Sequence, residues 1–289
     1  CVFFLQAEDG IRDLVRSRGL GDVYKRQPYL RGQDIKRWYP EWAGLWMILL
    51  KSSENSNWPW SRSGESAEVT FARTFPSLHA HLKPHEDALR KRQDQGRFWW
   101  ELRSCDYYSA FERPKIIHTD IAWRAQFAYS DKPVYLVNTA YVWPTSDLYL
   151  LAVVNSPLMW AYMWRNVMHG KDEVLRLIYS FTESLPIAQP NDSIRAEIEP
   201  AVQRLIVLTQ QKQAAISEVL AWLAAEFGVT TPGQALEALA DLDEASFIQQ
   251  GRSRRPCLLY TPPSPRDRTR SRMPSPACKK KTTYNYSPE

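Results

Sequence analysis

Residues 98–164 limit what this chain can fold into more than any other stretch. An aromatic turn, Phe98-Trp99-Trp100, leads to a β-branched run at 115–119 and a second apolar run at 134–142. An apolar segment of helical character follows from Leu148. Strand, polar break, strand and helix in that order predict a compact α/β unit. Asn155-Ser156-Pro157 divides residues 148–164 into pieces shorter than the about 20 residues a bilayer requires, so two buried helices around a turn are expected instead of a membrane span.

The flanks extend this pattern. Residues 44–51, Gly-Leu-Trp-Met-Ile-Leu-Leu-Lys, read as a buried strand, and 52–67 as a polar, Ser-rich loop holding Trp58-Pro59-Trp60. Residues 74–93 are helical in character, with Ser77 as a candidate cap, Pro84 in a first turn, and Leu78, Leu82 and Leu89 facing inward. Ile194, Ile198, Val202, Leu205, Leu208, Ile216, Val219, Leu220, Leu223 and Phe227 recur at threes and fours. They predict one long helix over 191–228, capped by Asp192 or Ser193 and ended by Gly228, with a short helix following from Thr231-Pro232 to Ala240. The fold class expected is α/β (α+β), a mixed sheet over 28–190 with a helical arm over 191–250.

Charge matters only once it is divided along the chain. The net +5 comes from the ends: residues 251–289 hold ten Lys/Arg against two Asp/Glu, while 191–250 hold three against nine. The body has no broad basic face, which excludes a simple nonspecific phosphate binder. It does interleave cations with rings: Arg103, Arg113, Lys115, Arg124 and Lys132 alternate with Trp99, Tyr107, Tyr108, Trp123 and Tyr129. Cations neutralise phosphates or fork to guanine, and rings pack on sugars or bases. The competing assignment places Trp99, Trp100, Phe111 and Phe127 in a core, and for these rings it is the favoured one. Arg31, Lys36 and Arg37, beside Trp38 and Tyr39, suit phosphate contact and a solvated turn equally well.

Catalytic and metal patterns are weak. His79, His81 and His85 form the sole metal-like spacing, but Pro84 interrupts the turn and neither Cys nor an intervening Glu accompanies them, so surface histidines are expected. Asp120 and Asp131 flank the central runs as ordinary loop acids. A glycine-rich methyl-donor turn and the Asp/Asn-Pro-Pro-aromatic loop that holds a flipped adenine are both missing from the sequence, as are a phosphate loop and a G-x-S-x-G elbow.

Seven blocks in order carry a family resemblance: P-Y-L-R-G-Q-D-I-K-R-W at 28–38, W-W-E-L at 99–102, R-P-K-I-I-H-T-D-I-A at 113–122, F-A-Y-S-D at 127–131, N-T-A-Y at 138–141, Y-L-L-A-V-V-N-S-P-L at 149–158 and S-L-P-I at 184–187. Together they resemble the TaqI-like C-terminal specificity domain, the target recognition domain of adenine-specific DNA methyltransferases and of restriction enzymes fused to them. The resemblance implies double-stranded DNA as partner, with Arg113, Lys115, Arg124 and Lys132 as contacts and Arg31, Lys36 and Arg37 as supporting phosphate contacts. It also implies a backbone-contacting segment after His169-Gly170-Lys171, for which Lys171 and Arg176 are the available charges. S-adenosylmethionine would belong to a catalytic domain N-terminal to this sequence. A separate specificity subunit, or a helical interaction protein built on 191–228, are the alternatives.

The two ends, 1–27 and roughly 251–289, resemble translated sequencing-adapter read-through and are expected to be artefactual tails. Cys1, Cys257 and Cys278 fall there, which leaves Cys105 alone in the body. No disulfide framework is then expected, and a reducing, cytoplasmic location is.

Overall fold

The computed structural model describes residues 4–5, 26–239 and 242–254. Its strands are Phe4–Leu5 (β1), Arg26–Leu30 (β2), Trp46–Ile48 (β3), Lys115–Thr119 (β4), Ile121–Ala122 (β5), Ala128–Ser130 (β6), Tyr135–Leu136 (β7), Ala140–Trp143 (β8) and Leu175–Arg176 (β9). They form a sheet of order β1-β3-β2-β7, a second of order β6-β4-β8 and a two-stranded ribbon β5-β9. All pairings are antiparallel except β2 with β7, so the architecture is the α/β mixture the sequence predicts. β2 begins at Arg26, ahead of Pro28, and β1 lies within the expected N-terminal tail. The rest of that tail, and residues 255–289 with Cys257 and Cys278, lie outside the described residues, as do Cys1 and Ala240.

β4 is the pivot of the body. Ile116 packs with Phe127, Leu151, Val154 and Met163 on one face, and Ile117 with Leu30, Ile35, Ala128 and Val134 on the other. Successive side chains point to opposite faces, so this strand, covered on both sides, buries its first four residues and leaves only Thr119 half-buried. The predicted strand at 134–142 is two strands in different sheets. Val137 donates to the Leu30 carbonyl at 3.1 Å and accepts from the Ala140 N–H at 3.1 Å. The turn through Asn138 and Thr139 therefore passes the chain from β7, beside β2, to β8, beside β4.

Helices Leu148–Val154 and Pro157–Asn166 are capped by Asp147, which accepts from the Leu150 N–H, and Ser156, which accepts from Met159, with Pro157 in the first turn. Ala67–Thr74, Pro76–Leu82 and Glu86–Arg90 enclose an aromatic core in which Trp58 stacks on Trp60 at 4.9 Å and Phe71 on Trp100 at 4.9 Å. Pro76 starts its helix and Phe75, without a side-chain cap bond, precedes it, so Ser77 is not the cap. The Ser-rich loop is not loose either. Trp60 is fully buried, and the Ser52 carbonyl and hydroxyl accept from Glu54, Asn55 and Ser56.

The helix Asp192–Phe227 has Asn191 as its cap, its Oδ1 accepting from Ile194 at 2.8 Å, not Asp192 or Ser193. Only Ile198, Val202 and Ile206, at four-residue spacing, meet the core. Ile194, Leu205 and Leu208 are exposed, because one stripe of a long helix suffices to cover the sheet side. Contacts divide the chain into one unit ending at Ala215 and another beginning at Ile216. In the second, Leu223, Val229 and Leu236 form a small core, and Gly228, at φ 66°, ends the long helix. Among the described residues no helix is long and apolar enough to cross a membrane.

Candidate nucleic-acid interface

Arg113, Lys115 and Lys132 gather at the first end of β4, and Arg124 follows β5 beyond its other end; the five residues of β4 put those ends about 13 Å apart. At the first end, Arg113 and Lys132 are exposed and their side chains have no hydrogen-bond or ion-pair partner among the described residues. Lys115 lies between them and is fully buried. Its Nζ donates to the Arg113 carbonyl at 2.9 Å and to the Lys132 carbonyl at 2.8 Å. Burial pushes the ammonium down to about 8, with the charge of Asp131 opposing. Lys115 is therefore corrected from a DNA contact to an internal group. β4 is covered on both faces, and the side chain at its first position has only the two pre-proline carbonyls to meet.

Beyond the other end, Asp120 accepts from Nε and one terminal nitrogen of Arg176, at 3.0 and 2.8 Å. Register places Ile121 opposite Arg176, and the Arg176 N–H donates to Met168 across the ribbon at 3.0 Å. Directly opposed residues share a face, so Met168, Arg176 and Ile121 make an outward row, with exposed Trp123 and Arg124 following. The turn leading into β9, Lys171-Asp172-Glu173, bends through two consecutive left-handed residues at φ 60° and 61°, which stores backbone strain. Its charge is not basic, so of the segment implied to touch the DNA backbone only Lys171 is a free cation. Sequence reasoning missed the row: no periodicity marks a ribbon of two-residue strands.

The turn after β2 is mostly committed to the fold. Arg31 donates through Nε and a terminal nitrogen to Asp34 at 3.1 and 2.9 Å, and Asp34 is buried. Arg31 thus serves as the counter-ion of an internal carboxylate. Lys36 stands 3.8 Å from Glu41. Arg37 is exposed, but it donates to the Asn155 carbonyl at 2.7 Å and stacks on Trp38 at 4.9 Å. Trp38 holds φ 76°, a conformation bulky residues rarely adopt. It does so because its N–H donates to Phe127 at 2.9 Å and its carbonyl accepts from Tyr129 at 3.0 Å.

The three histidines lie on the helical segment 76–90, with His85 exposed and His81 half-buried. His79 meets Glu68 at 3.1 Å, and the His81 and His85 rings are 6.2 Å apart. Glu101 is a buried carboxylate surrounded by donors, accepting from Trp60 Nε1, Ser53 N and Phe98 N at 2.8, 3.0 and 3.4 Å and from the Ser53 hydroxyl. Of the rings interleaved with the cations, Trp99 is buried, and Tyr107 and Trp123 are exposed.

A family model for the TaqI-like C-terminal specificity domain matches residues 27–187, more than half of the 289 residues. The chain belongs to this family. Its specificity domain spans the strands from β2 to β9 and the helices up to the start of the long one. A second model, a domain of unknown function (DUF8810), matches residues 191–268, from the long helix into the basic C-terminal segment. The chain is also similar to a solved structure of the Type IIL restriction-modification enzyme MmeI in complex with DNA, at 14% identity and a TM-score of 0.46. That similarity covers 86% of this chain and 29% of the other, so the chain spans about 29% of that enzyme's length. No curated protein matches the sequence.

Proposed function

We propose that this chain is the DNA target-recognition module of an adenine-N6 methyltransferase of restriction-modification type. The S-adenosylmethionine site and the reaction itself would belong to a catalytic domain outside this sequence, and the whole would work in the cytoplasm. One observation carries the reading: a specificity-domain fold leaves Arg113, Lys132 and Arg124 exposed and unneutralised around one buried strand, with exposed Met168, Ile121 and Trp123 beyond its far end. Unpaired cations supply the phosphate attraction, and the apolar groups suit contact with thymine methyls or base edges. Specificity therefore rests on few groups, consistent with a body that carries no broad basic face.

Duplex binding measured as a function of salt tests this. Three phosphate contacts give a slope of log K against log salt of roughly −2.7, from about −0.9 per contact. The chain binding no duplex at low salt, or binding with a flat salt response, would remove DNA from the proposal.

A further inference from the structure

Lys115 is the candidate cation that the fold has taken off the surface, and its two acceptors are the backbone carbonyls of two others. Both acceptors precede a proline: Arg113-Pro114 and Lys132-Pro133. Neither proline has an N–H to add to a ladder, and each restricts the residue before it to extended backbone. Apart from the Val134 N–H, which donates to the Phe111 carbonyl at 3.1 Å, the main chain does not tie the two pre-proline carbonyls to each other, and the one ammonium does. Ser130, which pairs with Lys115 in register, adds a second hold: its hydroxyl donates to the Lys132 carbonyl at 3.2 Å and accepts from the Lys132 N–H at 3.3 Å. An apolar side chain would serve packing at least as well as a desolvated charge. What it would lose is the link between the two turns.

We propose that Lys115 is a positioning residue, clasping the Arg113 and Lys132 carbonyls so that these two side chains leave the surface as a fixed pair set for phosphates of one duplex. This rests on the DNA reading above. Without the clasp only the Val134–Phe111 bond and the β4–β6 ladder join the two turns, and the two pre-proline residues are no longer set to meet their phosphates together.

The test compares the wild-type chain with Lys115→Met, with the double variant R113A/K132A, and with the triple variant, by salt-dependent binding to one duplex. The double variant is expected to lower the salt slope by about two contacts' worth, roughly 1.8. Lys115→Met is expected to reproduce most of that loss although both surface cations remain, and the triple variant to add nothing to the double. A purely structural role would lower the melting temperature without moving the slope. A wild-type slope and affinity in folded Lys115→Met, with the double variant impaired, overturns the clasp and leaves the DNA reading intact. Absence of duplex binding by the wild type sinks the DNA reading instead. Should Lys115→Met fail to fold, acylation of lysines in the wild type gives the answer. Lys115 is expected to stay unreactive and Lys132 to react until duplex protects it. Equal reactivity of the two, or a Lys132 that bound duplex leaves unprotected, overturns the clasp.

Discussion

The side chain of Asn155 brackets the peptide of Phe127, donating from Nδ2 to its carbonyl at 2.9 Å and accepting its N–H at Oδ1 at 3.1 Å. The same Nδ2 reaches the Leu151 carbonyl at 3.2 Å, and the Asn155 backbone carbonyl receives Arg37. The Phe127 carbonyl is also what holds Trp38 in its left-handed conformation. One buried amide thus joins the helix Leu148–Val154, the segment entering β6 and the turn after β2. Replacing it with Ala strands the Phe127 N–H, and an unsatisfied buried group costs about 1–3 kcal/mol. Asn155→Ala should lower the unfolding free energy by about 2–4 kcal/mol once the small cavity is included. Urea denaturation checks this, and a loss under about 0.5 kcal/mol would mean that the bracket does not hold.

Asn155 also shows where the sequence is legible and where it is not. As a breaker between two apolar runs it marks a helix boundary correctly, because local turn chemistry decides that. Its three long-range bonds leave no local trace, since strand and loop pairing are set by residues far apart in the chain. The same split explains Lys115 and Trp60. By residue type a lysine belongs at the surface and a Ser-rich loop in solvent, and both are buried only because β4 is covered on two faces and Glu101 awaits the Trp60 N–H. The strand at 115–119 is read at its bounds because β-branched Ile116 and Ile117 mark it locally, whereas of the run at 44–51 only 46–48 is strand. The Met168-Arg176-Ile121 row exists only through register.

Glu101 is the next place to test. Its carboxylate faces four donors and no acceptor: the Trp60 indole, two main-chain N–H groups and the Ser53 hydroxyl. Glu101→Gln keeps the shape but turns an NH2 toward a donor, which an amide cannot satisfy. Destabilisation of about 1–3 kcal/mol is expected, with altered Trp fluorescence. Wild-type stability with an unshifted emission maximum would show that the site accepts a donor.

His118 sets an acid limit. It lies in β4 among Phe127, Tyr141 and Trp143, with Nδ1 donating to the Thr119 carbonyl at 3.1 Å and Nε2 buried without a partner. Burial pushes its pKa from 6.5 down to about 4, against the raising effect of the Thr119 bond. The unfolded chain therefore binds the proton first. Stability is full above about pH 6.5, falls as pH drops, and is lost through about pH 4, by about 3 kcal/mol at about 1.4 kcal/mol per unit. His118→Phe should flatten that limb in denaturation curves taken from pH 7 to 4. An unchanged slope would place the titration elsewhere.

Arg31 and Arg124 have the same charge and opposite expected phenotypes. Arg31 neutralises Asp34, which is only 4% exposed, so Arg31→Ala leaves a buried carboxylate without its counter-ion. Breaking such pairs costs about 3–5 kcal/mol when both partners are buried. The Arg31 side chain is 39% exposed, and solvent screening reduces the expected loss to about 1–2 kcal/mol. Arg124 is exposed and has no ion-pair or hydrogen-bond partner among the described residues, so Arg124→Ala should change stability by less than about 0.5 kcal/mol. In duplex binding the order reverses: Arg124→Ala lowers the salt slope by about 0.9, whereas folded Arg31→Ala leaves it unchanged. Thermal melts and salt titrations of both variants on one duplex separate the two roles. A lower slope for Arg31→Ala with wild-type behaviour for Arg124→Ala would put the phosphate contact in the turn after β2, away from the β5 end of the central strand.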